Sequence, residues 1–160
     1  MIIHSTDAIQ SIHSDYSNKL ISEAINCLEK RIRRATLSLN HSQDVCAFLR
    51  LHLAVEKHEV FAVSFLDSRH RLIQFEKLFH GTINETAVYP RRVVEKALEY
   101  NAAAVILAHN HPSEECKPSL ADRAVTRELR TILKIINVQV LDHIIVSHHD
   151  SYSFAEHGLL

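Results

Sequence analysis

With 160 residues, 46% of them apolar and 23% charged, the chain has the length and composition of one globular domain that buries a real core. A formal net charge of -1 excludes the global basic field that draws proteins to nucleic acid or anionic membranes. No apolar stretch approaches the roughly 20 residues that span a bilayer, so no membrane partner is expected.

From Ser17 to Ala35, Leu20, Ile21, Ala24, Ile25, Leu28 and Ile32 recur at helical spacing. The last part of that segment carries Lys30, Arg31, Arg33 and Arg34. The preceding start, "MIIHSTDAIQSIHSDYSNKL", lacks a charged n-region followed by an apolar h-region, so no signal peptide is expected. After the polar connection "TLSLNH", a second helix is predicted with Ser42 as N-cap, Asp44 in its first turn and "VCAFLRLHLAVEK" as its body. Residues 1–56 thus form an N-terminal helical segment ahead of a domain at 57–160.

The texture then changes. "EVFAVSFLD", Glu59 to Asp67, is short and rich in Val and Phe, as strands are. "SRH" turns it and "RLIQFEKLF" follows as a second strand. Pro90 opens a helix over "RRVVEKALEYN". "AAAVILA" is a buried strand, "SLADRAVTRELRTILKII" an amphipathic helix, "VQVLDHIIVS" another strand and "SYSFAEHGLL" a last short one. This order predicts an α/β fold, a mixed sheet flanked by helices. Cys27, Cys46 and Cys116 are an odd, widely spaced set, read as reduced thiols of a cytoplasmic protein.

Chemistry gathers in "AHNHPSEECKPSLAD", Ala108 to Asp122. His109 and His111 stand two apart at a strand end, where period-two alternation puts both imidazoles on one side. Asp122 falls in the first turn of the next helix, beyond the stiffening Pro112 and Pro118. Two imidazoles and a carboxylate suit a catalytic zinc, which takes three protein ligands and leaves a fourth position for water. The plainer reading of Ser119-Leu-Ala-Asp122 is a capping box, which leaves the two histidines unexplained. Cys116 is a further donor candidate inside the stretch. Glu114 and Glu115 read as solvated loop charges, and His148 and His149 as a surface turn.

"HNHPSEECKPSLAD" fits H-x-H, seven residues, Ser, two residues, Asp, and so resembles the motif of the JAMM (MPN+) zinc metalloproteases. "LFHGTIN", "NAAAVILAHNHPS", "VLDHIIV" and "YSFAEHGLL" occur in the order found in one branch, the RadC family, and are most similar to its short, prophage-type members. The resemblance covers about Lys57 to Leu160. It implies a JAMM/MPN fold related to the cytidine-deaminase architecture, with His109, His111 and Asp122 as zinc ligands and Ser119 helping to hold an oxyanion. It also implies a glutamate from an earlier strand as general acid/base, matched by Glu59, with Glu76 in reserve. Glu95 and Glu99, on a predicted helix, are expected to face solvent.

The implied activity is hydrolysis of a peptide or isopeptide bond by a zinc-activated water, with a peptide or protein as substrate. The alternative, attached to the family name through DNA repair, is a DNA-associated accessory or binding module whose metal site is structural or vestigial. Lys30, Arg31, Arg33 and Arg34 are its local support, and a solvated helix face is their plainer reading. The chain departs from the family's usual text at Glu114, where a glycine is common, and in "VYPRRV", where Tyr89 and Arg92 replace a histidine and a glutamate. None of the three is an implied ligand.

Overall fold

The computed structural model describes residues 17–28, 42–81, 87–112 and 115–160. The basic run Lys30–Arg34, the connection at 36–41 and Glu114 lie outside them. Helix α1 covers residues 17–28 and α2 covers Ser42–Leu53. Strands β1 (Val60–Leu66) and β2 (Leu72–His80) follow, then α3 (Pro90–Glu99), β3 (Ala104–Asn110), α4 (Leu120–Ile135), β4 (Gln139–Val146) and β5 (Ser151–Ser153). The expected α/β order is present. No helix among the described residues is long and apolar enough to cross a membrane.

The five strands form one mixed sheet in the order β2-β1-β3-β4-β5. Only β3 and β4 run parallel, joined through α4, and the other neighbours are antiparallel. Helices cover both faces. On one, Ala62, Leu66, Ala104, Ile106, Ala108, Ile144 and Val146 pack with Val45, Phe48, Leu49 and Leu53 of α2. On the other, Phe61, Val63, Phe65, Val105, Leu107 and Val140 pack with Val93 and Ala97 of α3 and Leu129 and Leu133 of α4. Every residue of β1 and β3 is buried. That is why "AAAVILA" reads as a continuous apolar run rather than an alternating one.

Both helices that feed the central strands end alike. Asn101 and Asn137 adopt left-handed backbone, at φ 49 and φ 57, a conformation that asparagine tolerates better than most residues. Ala102 N–H reaches the Ala97 carbonyl and Asn101 N–H that of Leu98; Val138 and Asn137 repeat the pattern on Leu133 and Lys134. These Schellman closures stop α3 at Glu99, short of the helix end predicted at Asn101, and turn the chain directly towards β3 and β4. The predicted last strand is also shorter. Asp142 accepts bonds from Ser153 Oγ at 2.6 Å and from Ala155 N–H at 2.9 Å. The chain is thereby drawn out of the ladder after Ser153 and into a turn that brings Leu160 back onto the core.

His52 of α2 packs between Phe48 and Phe75, with ring centroids at 4.3 and 4.7 Å. Burial, with a further push from Lys77, lowers its pKa from 6.5 to about 4. The unfolded chain therefore takes up this proton first. The stabilisation is complete above pH 6.5 and is lost as pH falls towards 4. His52→Phe keeps a ring and removes the titration. It is expected to flatten the decline in urea-unfolding stability over this window by up to about 3 kcal/mol. An unchanged pH slope would count against the assignment.

Candidate metal centre

The end of β3 projects His109 and His111 onto the α3/α4 side, and α4 begins against them. His109 is 1% exposed and stacks on Phe61, its cross-strand neighbour on β1. His111 continues β3 by giving its N–H to the Val146 carbonyl at 2.9 Å. Its Nδ1 lies 2.8 Å from the Glu115 carbonyl. A carbonyl only accepts, so His111 Nδ1 carries the proton and Nε2 is turned to the cluster.

Ser119 is the N-cap of α4 and forms the expected capping box with Asp122. Its N–H and Oγ–H both donate to Asp122 Oδ2, at 2.7 and 2.6 Å. The helix turn thus aims the carboxylate at the histidines, and capping and metal approach make use of the same geometry. Asp122 Oδ1 stands 3.3 Å from His109 Nε2, and Oδ2 stands 3.6 Å from His111 Nε2. The two Nε2 atoms are 2.9 Å apart. A tetrahedral ion with bonds of about 2.0–2.1 Å needs neighbouring donors roughly 3.3 Å apart. The three separations bracket that value, so the donor set fits a metal ion. His109, His111 and Asp122 are the one such group among the described residues, with all donor atoms within 4.8 Å.

The charges agree. Burial drives the His109 pKa down from 6.5 to about 4, keeping the imidazole neutral as a ligand must be. His111 is raised, first by the Asp122 carboxylate beside it and against burial. Burial raises the Asp122 carboxyl, but the neighbouring His111 and the Ser119 bonds outweigh it and hold it below the usual range.

Glu59 lies at the turn into β1. Its carbonyl accepts from Gly81 N–H at 2.8 Å, and its charge is the smallest of the influences that raise His111. Asn110, the residue between the two histidines, holds this turn from the opposite face of the strand. Its Oδ1 accepts from Val60 N–H at 2.8 Å, and its Nδ2 donates to the His58 carbonyl at 3.0 Å. Asn110 is 2% exposed. Asn110→Ala is expected to leave the buried Val60 N–H unsatisfied and to cost about 1–3 kcal/mol in chemical denaturation. A loss under about 0.5 kcal/mol would show that the clamp is idle.

Glu76 sits two strands away on β2, bonded to the Tyr100 hydroxyl and paired with Lys96. Cys116 is buried with Ile145 and Phe154 instead of facing the metal group. His148 and His149 form an exposed turn, and Glu95, Glu99 and Glu115 are exposed. Tyr89 is 65% exposed ahead of α3, and Arg92 pairs with Glu95 at 3.3 Å.

Two residues that sequence reading did not single out complete the surroundings. His143 of β4, fully buried, has its Nε2 2.8 Å from His109 Nδ1. Thr126 of α4, also buried, has its Oγ1 2.6 Å from His143 Nδ1. The one available signal was a histidine inside the apolar strand "VLDHIIVS", since a buried polar side chain needs a partner.

A family model for the RadC-like JAB domain matches residues 39–159. The chain belongs to the RadC family. It is 47% identical over 142 residues to the UPF0758 protein YkfG of Escherichia coli (strain K12), covering 89% of this chain and 90% of that one. A UPF0758 protein of Vibrio cholerae serotype O1 is 46% identical over 145 residues, 91% of this chain and 90% of the relative. UPF0758 protein Mpe_A2695 of Methylibium petroleiphilum is 56% identical over 118 residues, 74% of this chain and 53% of the relative, so the match spans about half of that longer protein. The family match opens before α2, whose apolar face lies in the same core as β1, β3 and β4.

Proposed function

We propose that this RadC-family chain is a zinc-dependent hydrolase of amide bonds, a peptidase or isopeptidase working on a peptide or protein in the cytoplasm. The convergence of His109 Nε2, His111 Nε2 and the Asp122 carboxylate at the open end of the sheet carries the reading. Three ligands of this kind leave a position free, where zinc, when bound, supplies Lewis acidity to the reaction. Three free cysteines support the compartment.

Around that position the chain's own groups divide the work. Glu59 takes a proton from the attacking water and hands it to the leaving nitrogen. Ser119 Oγ, exposed at the N-cap, turns its proton from Asp122 Oδ2 to the carbonyl oxygen as negative charge develops there. Phe61 and the buried histidines close the inner side of the site, and Ser119 and His111 border its wetter side. The test is a screen of zinc-loaded protein against peptide and isopeptide libraries, with Glu59→Gln as the control. Cleavage by the parent alone supports the reading. Cleavage by neither, from protein carrying a full complement of zinc, would reject it.

A further inference from the structure

Behind His109 runs a buried chain of hydrogen bonds whose direction is fixed from one end. Thr126 Oγ1 lies 2.5 Å from the main-chain carbonyl of Asp122, one helical turn earlier, and 2.6 Å from His143 Nδ1. The carbonyl can only accept, so the hydroxyl must donate to it. The hydroxyl oxygen then accepts, and His143 Nδ1 carries a proton. His143 is 0% exposed and lies against Phe61 and Phe154, surroundings that favour a neutral ring. Its Nε2 is therefore bare and accepts from His109 Nδ1–H across 2.8 Å. With its proton placed on Nδ1, neutral His109 presents a bare Nε2 to His111 and Asp122.

We propose that Thr126 and His143 are positioning residues that lock His109 in the Nδ1–H tautomer and so present its Nε2 lone pair to the metal. The inference rests on the metal centre read above and adds a device for preparing it. The reverse sense of the chain is self-defeating. A Thr126 hydroxyl that donated to His143 would set two oxygens against each other at 2.5 Å. It would also leave His143 donating from Nε2, and His109 would then carry its proton on Nε2, inside the ligand cluster. The helix that supplies the ligand Asp122 thus also sets, through its own carbonyl, the tautomer of a ligand on the neighbouring strand.

The decisive comparison is Thr126→Val, which keeps the shape and removes the hydroxyl, against Thr126→Ser, which keeps the hydroxyl. Long-range proton–nitrogen NMR of metal-free, uniformly labelled protein reads which imidazole nitrogen is protonated. The parent is expected to show His109 and His143 as Nδ1–H tautomers, and the valine variant a mixture that includes Nε2–H. Zinc affinity, measured by competition with a chromophoric chelator, is expected to fall about 10–100-fold in the valine variant and to stay near the parent's in the serine variant. An Nε2–H tautomer at His109 in the parent overturns the proposal even if the valine variant fails to fold. So does parental affinity in a folded valine variant. The tautomers are read without metal, so a parent that shows them and binds no zinc would reject the metal centre and leave the bonding chain standing.

Discussion

His109→Ala is expected to take the protein from about one bound zinc per chain to essentially none. The loss of affinity should exceed the roughly 100-fold that outer-shell substitutions cost, because a donor atom itself is removed. Inductively coupled plasma mass spectrometry on protein purified with zinc offered in excess, then dialysed, would measure it. The histidine count of 13 makes the control as informative as the variant. His148→Ala, in the exposed turn, should keep the metal. If both variants retain zinc, the bound ion is scattered over surface imidazoles and the cluster is not its site. Circular dichroism must accompany the measurement, because His109 is buried against Phe61 and its removal also opens a cavity.

The readable part of this site was the local part. H-x-H at a strand end and Ser-x-x-Asp at a helix start are short-range patterns, whose geometry follows from the periods of strand and helix. The competing capping-box reading also describes the structure, since Ser119 binds the same carboxylate that faces the histidines. The sheet was legible for a similar reason, as apolar runs bounded by turns. Long-range pairing was not. His143 meets His109 only because β4 lies parallel to β3, with a register shift between Val105 and Ile106, and no spacing in the sequence encodes that offset. Asn110 looked like the spacer in H-x-H, yet it points through the sheet to hold the chain beside Glu59. The end of α3 was placed two residues late because asparagine performs the left-handed turn usually signalled by glycine, whereas α4 was read to its C-cap Ile136.

Glu59→Gln is the substitution that separates binding from chemistry. Glutamine preserves the shape and removes both the base and its charge. Turnover on any amide that the parent cleaves is expected to fall about 10²–10⁴-fold in kcat, with KM and zinc stoichiometry little changed. The Glu59 backbone is fixed on both sides, by Gly81 and by Asn110 through Val60. Glu76 is engaged by Tyr100 and Lys96 two strands away, so Glu76→Gln should leave kcat within a few-fold of the parent and weaken mainly the contact between β2 and α3. A pre-steady-state burst would show whether product release masks the chemical step, and kcat would then be read from the single-turnover rate. Parental single-turnover rates in Glu59→Gln, with full zinc, would remove Glu59 from the proton path and leave the metal centre without its base.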